Sequence, residues 1–244
     1  MTVVLGVDIG GTGIKAAPVD VDAGKLTTER VRIKTPKPAT PAAVAEVVAE
    51  LVKQFDWHGP VGCTFPAVVK DGVVLTAANV DESWIGTHGD GVIGRATGCP
   101  VTMVNDADAA GLAEVRFGAG KGVGGVVIMV TLGTGIGCGV FHDGVLLPNT
   151  ELGHIEIGGK DAERLAAESA KVRNKWSYKQ WAKNVETYLN RLDSLLWPDL
   201  IIIGGGISKD ADKFLPRIKV RPKVVPAQFL NDAGILGAAL HGAG

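Results

Sequence analysis

An apolar run, Val3 to Leu5, leads to Asp8, crosses Gly10-Gly11-Thr12-Gly13 and resumes with Ile14, Ala16 and Ala17, a pattern that predicts two strands joined by a turn. TTERVRIKTPKP predicts a further strand and a connection that Pro36, Pro38 and Pro41 keep irregular. Thr40 is placed to cap a helix and Pro41 suits its first turn; Val44, Val47, Val48, Leu51, Val52 and Phe55 then recur at the spacing of one buried face. GPVGCTF predicts a strand and VVKDGVVLTA a hairpin turning at Asp71-Gly72. Pro100 to Val104 predicts another strand, running into NDADAAGLAEVRFG as a helix of small residues.

The middle of the chain echoes its start. GGVVIMVTLGTGIGCGVFHDGVLL again alternates strand, glycine turn and strand, which predicts two related lobes facing a shared cleft. Beyond Glu163 the pattern turns helical. Ser177 and Gln180 form a capping box, and Trp181, Val185, Tyr188, Leu189, Leu192, Leu195 and Leu196 form one apolar stripe suited to core or dimer packing. LIIIGGGIS predicts a strand ending in a third glycine turn, and NDAGILGAALHGAG a small-residue helix. Strands alternating with helices predict an α/β fold with a largely parallel sheet.

Composition narrows the partners. The chain has 244 residues, enough for one large domain or two modest ones, and is 46% hydrophobic and 21% charged, as in soluble globular proteins. Lys and Arg total 25 against 26 for Asp and Glu, so no overall charge draws it to nucleic acid or membrane. Cys63, Cys99 and Cys138 are far apart and lack metal-ligand spacing, which predicts neither a disulfide framework nor a zinc site and fits a reduced compartment. The first residues do not have the pattern of a secretory signal, and TLGTGIGCG interrupts the apolar run Val126 to Val130 too early for a membrane span. A cytoplasmic location is expected.

Chemistry concentrates at the glycine turns. Gly10, Gly11 and Gly13 let the backbone approach a ligand and aim N–H groups at phosphate oxygens; Thr12 adds a hydroxyl and Lys15 a point charge. Asp8, at the strand end, can hold Mg²⁺ directly or through water. The alternative is a glycine-tolerant hairpin with an exposed lysine. The second turn, with Thr131, Gly133, Thr134 and Gly135, lacks the Lys-Ser or Lys-Thr pair of a P-loop, and Gly204, Gly205 and Gly206 lack dinucleotide-fingerprint spacing. Three such turns at strand ends together predict a divided phosphate-binding cleft. Asp106, between a strand and a helix, can accept a proton from a hydroxyl attacking phosphorus, with Asn105 orienting that hydroxyl, or can cap the helix. Glu151 and His154 in ELGHIEI can bond sugar hydroxyls, although a lone His equally suits a structural partner.

DIGGTGIK, FPAVVKDGVV with NVDESW, NDADAA, LGTGIGCG, ELGH, IIIGGGIS and AGILGAAL stand in the order seen in ROK-family sugar kinases, and the chain resembles that family over nearly its whole length. The resemblance implies a two-lobed actin/hexokinase-like (ribonuclease H-like) ATPase fold with a cleft between the lobes. An N-terminal lobe is expected over 1–106 and a C-terminal lobe over 107–231, with helix 232–244 packing back on the first. Within the family the chain looks most like the polyphosphate glucokinases and polyphosphate/ATP glucomannokinases, on AANVDESWIG, DAERLAAESAKVRNKWSYKQWA and LWPDLIIIGGGISKDADKFLP.

Carried over residue by residue, the resemblance implies Asp106 as catalytic base and places Asn79, Asn105, Asp106, Glu151, His154 and Glu163 around the sugar. It implies glucose as acceptor with mannose as a second, inorganic polyphosphate as donor with ATP as a second, Mg²⁺ as cofactor and a homodimer. A long polyanion needs further cations. Lys121, Lys209, Lys213, Arg217, Lys219, Arg221 and Lys223 could form its track, or only a solvated charged face. Many ROK proteins carry a cysteine-rich zinc motif after the ELGH-type histidine; no cysteine follows Cys138, so no zinc is expected. An ATP-only ROK glucokinase or mannokinase shares nearly every motif, and a donor assay separates it. A non-catalytic ROK regulator normally has an added N-terminal DNA-binding domain; with DIGGT beginning at Asp8, none is expected.

Overall fold

A computed structural model describes residues 1–78 and 80–244; Asn79, expected at the sugar, lies outside the described residues. Strand β1 (Val3–Ile9) pairs antiparallel with β2 (Ile14–Asp20) along its full length, from Val3↔Asp20 to Ile9↔Ile14. Short strands β3 (Lys25–Leu26) and β4 (Val31–Ile33) both add to β2. Helix α1 (Pro41–Gln54) begins where Thr40 accepts the Ala43 N–H, and it buries Val44, Ala45, Val48, Leu51 and Val52, with Val47 and Phe55 at the core's edge. Next, β5 (Val61–Phe65) lies parallel to β1, and β6 (Val69–Lys70) with β7 (Val73–Val74) forms the expected hairpin. Its turn residues Asp71 and Gly72 both have positive φ, the conformation that matches strand twist. Helix α2 (Gly89–Thr97) leads to β8 (Val101–Asn105), parallel to β5, and α3 (Asp106–Phe117) follows at once.

The second half repeats this plan. Strands β9 (Val126–Leu132) and β10 (Ile136–His142) pair antiparallel throughout, and β11 (Val145–Leu147) adds to β10. A hairpin of β12 (Glu156–Ile157) and β13 (Lys160–Asp161) precedes α4 (Glu163–Ala166), α5 (Glu168–Arg173) and the long α6 (Tyr178–Leu196). Strand β14 (Leu200–Gly204) runs parallel to β9, and β15 (Lys223–Pro226) parallel to β14. The order β11-β10-β9-β14-β15 reproduces β3-β2-β1-β5-β8, and β9 matches β1 in burial position by position.

Both halves of the Ser177–Gln180 capping box are made. Trp181, Val185, Tyr188, Leu189 and Leu192 are buried and Leu196 packs at their edge, so most of the stripe belongs to the core. Leu195 departs from the expectation: at the margin of the stripe, near the helix end, it is 53% exposed.

Two compact units result, Met1–Ala113 with Asp232–Gly244, and Glu114–Asn231, so that the division falls within α3. Helix α7 (Ala233–Gly242) belongs to the first, where it packs on β1, β5 and β8. Glycines make that contact possible. A Cβ on Gly62 would lie 1.8 Å from the Ala238 carbonyl oxygen, one on Gly6 2.0 Å from that of Ile235, and one on Gly237 1.7 Å from that of Ala109. Among the described residues no helix is long and apolar enough to cross a membrane. The three cysteines are buried thiols, and burial pushes Cys63 up to about 12.

The backbone contact at Gly62 predicts that Gly62→Ala destabilises the protein by about 1–3 kcal/mol or more through overpacking. A lower urea midpoint is expected; an unchanged midpoint would mean that strand and helix separate without cost. Cys63 should resist iodoacetamide until the protein is unfolded, since the thiolate is the reactive form. Labelling of Cys63 under native conditions contradicts its burial.

Candidate active site

In the first unit, register aligns Asp8 with Thr64 and Phe65 with Asn105, so Asp8, Thr64 and Asn105 stand near the carboxyl ends of three adjacent parallel strands. Open α/β sheets bind ligands along that edge. Asp8 Oδ2 accepts from Lys15 Nζ at 2.9 Å, its partner across β1–β2, and Oδ1 accepts from Thr64 Oγ1 at 3.0 Å. Thr64 Oγ1 in turn accepts the Ile9 N–H at 3.1 Å. Asp8 and Lys15, expected to act separately on metal and phosphate, thus form a half-buried ion pair. The Asp8 carboxylate also faces the first turn of α7: a Cβ on Gly234 would lie 2.9 Å from its carboxyl carbon. The partial positive charge of a helix start favours an anion there.

The first glycine turn is held by its carbonyls. Gly10 donates to the Gly13 carbonyl at 3.2 Å, Thr35 Oγ1 donates to Gly10 O at 2.5 Å, and Arg32 Nη2 donates to Thr12 O at 2.9 Å. Gly11 and Thr12 are exposed, and among the described residues their amides make no hydrogen bond. Exposed turn amides of this kind suit phosphate oxygens. Arg32 and Thr35 were not among the expected site residues; their distance from the turn in sequence hides the link.

At the start of α3 both Asn105 and Asp106 accept backbone N–H groups. Asn105 is the cap: its Oδ1 accepts from Ala107 N at 2.9 Å and Asp108 N at 3.2 Å, while Nδ2 donates to Ala67 O at 3.1 Å. Asn105 is only 8% exposed, and among the described residues its Nδ2 donates one of its two hydrogens. Asp106 is exposed, with Oδ1 accepting from Ala107 N at 2.8 Å.

The second unit holds the other two turns. Gly133 donates to Gly135 O at 3.0 Å, while Ser169 of α5 donates through N to Gly133 O at 3.0 Å and through Oγ to Thr134 O at 2.6 Å. Carbonyls are again fastened from outside. Thr131 Oγ1 donates to Gly137 O at 3.4 Å, across the strand pair. Gly204 pairs in register with Thr131, which sets the third turn beside the second. Gly205 has φ +83°, and a Cβ there would meet Leu132 O at 2.6 Å; its carbonyl accepts from Ser208 N and Oγ.

Glu151, His154 and Glu163 come together in this unit, joined by Asp161. His154 Nε2 lies 3.7 Å from Glu151 Oε2, and Nδ1 lies 3.5 Å from Asp161 Oδ2. Glu163 Oε2 reaches over the second turn, 2.5 Å from where a Gly135 Cβ would stand. Ligand atoms of His154, Asp161 and Glu163 all lie within 4.8 Å of one another, close enough to share one ion. The expectation of no zinc rests on missing cysteines and does not bear on this nitrogen and oxygen set. Asp161 escaped the sequence reading, yet Gly158-Gly159 was a hairpin signal that could have returned it to His154.

Several cations of the expected track are neutralised locally. Lys213 Nζ bonds Asp210 at 2.8 Å, Tyr178 donates to the other Asp210 oxygen at 2.9 Å, and these bonds hold the Asp210 carboxyl below its usual range. Arg221 bonds Asp193 at 2.6 Å and stacks over Trp197. Arg217 donates to the Lys213 carbonyl. Lys121, Lys209, Arg217, Lys219 and Lys223 are exposed and have no ion pair among the described residues.

Known proteins resemble the chain in sequence and in fold. The chain is 55% identical over 236 residues to the polyphosphate glucokinase of Mycobacterium tuberculosis (strain CDC 1551 / Oshkosh), covering 96% of this chain and 89% of that one. The polyphosphate glucokinase of Mycobacterium leprae is 52% identical, covering 96% and 73%. Among solved structures, the inorganic polyphosphate/ATP-glucomannokinase of Arthrobacter sp. strain KM superposes with a TM-score of 0.95 at 48% identity, covering 100% and 99% of the two chains. A ROK family glucokinase from Streptomyces griseus, in complex with glucose and AMPPNP, gives 0.86 at 26% identity, covering 99% of each. The fold is the actin/hexokinase-like one of these sugar kinases. The ROK family model matches residues 4–172, well over half of the sequence, and the chain belongs to the ROK family.

Proposed function

We propose that this chain transfers the terminal phosphoryl group of inorganic polyphosphate to O6 of glucose, with ATP as a second donor and mannose as a second acceptor. The observation that carries the chemistry is the exposure of the Asp106 carboxylate at the strand-to-helix junction, beside the buried cap Asn105. The choice of donor is supported by 55% identity to a polyphosphate glucokinase over 96% of the chain.

In this reading Asp106 accepts the O6 proton as oxygen bonds to phosphorus and the bridging P–O bond breaks. The products are glucose 6-phosphate and polyphosphate one unit shorter. Amides of the glycine turns and the Lys15 ammonium neutralise the transferring oxygens. Glu151, His154, Glu163, Asn79 and the remaining Asn105 amide hydrogen take the sugar hydroxyls. The Asp8 carboxylate, a hard-oxygen ligand with lone pairs left beside Lys15 and Thr64, would hold Mg²⁺ through water, and bound Mg²⁺ supplies charge neutralisation at the phosphates. Lys121, Lys209 and Arg217 support a track for the polyphosphate tail, since they are exposed and have no ion pair among the described residues; Lys213 would have to leave Asp210 to join it. A homodimer would cover exposed Leu195 and Trp197, and buried thiols fit a cytoplasmic setting.

Glucose turnover measured with polyphosphate and with ATP separately tests the reading, and turnover with ATP alone removes polyphosphate as donor. Asp106→Asn should lower kcat by about 10² or more while leaving glucose affinity within a few-fold; near-normal kcat rejects Asp106 as the base. Gly234→Ala pushes a methyl against the Asp8 carboxylate. It should raise the Mg²⁺ concentration needed for half-maximal rate, and an unchanged Mg²⁺ dependence takes Asp8 out of metal binding.

A further inference from the structure

We propose that Asp161 is a positioning residue for the sugar site: its carboxylate keeps the His154 proton on Nδ1, so that Nε2 faces the substrate as an acceptor. The inference rests on the sugar-kinase reading and adds a residue to it.

Backbone bonds, rather than side chains, bring the two residues together. His154 ends a single 3-10 turn, donating its N–H to Glu151 O at 3.1 Å. The chain then runs out along β12 and back along β13 through Gly158 and Gly159, at φ +61° and +77°, a two-residue turn that favours glycine at both positions. Register sets Asp161 opposite Glu156, and the Ala162 N–H bonds Ile155 O at 2.9 Å. Asp161 is therefore returned to the ring by the hairpin.

The ring is flanked by carboxylates. Asp161 lies nearest, 3.5 Å from Nδ1 at the outer limit of a hydrogen bond, Glu151 lies 3.7 Å from Nε2, and Glu163 is the third carboxylate of the cluster, directed to Gly135. A neutral imidazole has one donor and one acceptor nitrogen, so its proton must face one carboxylate and its lone pair the other. With the proton on Nε2, the ring would turn a donor toward the neighbouring Glu151 carboxylate and present no acceptor there to the sugar. Toward Asp161, the proton leaves Nε2 and Glu151 as neighbouring acceptors, 3.7 Å apart and too far for a direct bond, an arrangement completed by sugar hydroxyl donors. His154 and Glu151 are exposed enough to receive them, at 55% and 42%.

The test combines kinetics with ¹⁵N NMR of histidine-labelled full-length protein, without sugar and at mildly alkaline pH. The wild type should show His154 protonated on Nδ1, and Asp161→Ala should shift the proton toward Nε2. Asp161→Ala should raise the glucose KM about tenfold, the worth of one hydrogen bond, with kcat and the polyphosphate KM changed far less. Asp161→Asn, whose amide oxygen still accepts from Nδ1–H, should recover most of the affinity. An Nε2-protonated wild type, or an unaltered glucose KM in Asp161→Ala, overturns the proposal. So does glucose affinity lost on chelation and restored by Zn²⁺, which would make Asp161 a metal ligand. A wild type that phosphorylates no glucose with either donor defeats the sugar-kinase reading instead, and the NMR result separates the two failures.

Discussion

Consecutive glycines have no shape of their own, so a turn built from them binds a ligand only if something else fixes it. Here the fixing is done through carbonyl oxygens. Arg32 and Thr35 hold the carbonyls of the first turn, Ser169 those of the second, and Ser208 that of Gly205 in the third. A carbonyl held from one side turns the amides to the other, so the same bonds that order the loop orient its donors. Without them a ligand would have to order the turns on binding, and ordering costs about 1–2 kcal/mol per residue in backbone entropy.

The duplicated sheet plan gives each half equivalent positions and different chemistry at them. Asp8 and Thr131 occupy the sixth place of matching strands, and their cross-strand partners are Lys15 and Gly137. One half therefore carries an ion pair where the other carries a hydroxyl on a backbone carbonyl. Charge is concentrated in the first unit's turn, while the imidazole and its carboxylates are concentrated in the second unit.

What the sequence made legible was local. The alternating runs, Thr40 as cap, Asp71-Gly72 as turn and Ser177 with Gln180 as capping box all depend on neighbours within a few residues, and each forms. The three glycine turns and the gathering of Glu151, His154 and Glu163 were also foreseen. Bonds that span the chain were not. Glu114, fully buried, receives the N–H groups of Ala119, Gln228 and Phe229, and no spacing rule links residue 114 to residue 228. Arg221 finds Asp193 across 28 residues, which removes it from the run of apparently free cations. Asp161 required knowing that its hairpin folds back toward His154.

Helix α7 has an effect on how the protein can be made. The first unit contains residues 1–113 and 232–244, so its sheet is synthesised long before the helix whose backbone rests on Gly6 and Gly62. Until that helix arrives, one face of β1 and β5 is an uncovered apolar surface, and contacts closing over such long loops form slowly. On the ribosome the intervening unit, Glu114–Asn231, is free to settle first, so the half that begins the chain is the last to be finished.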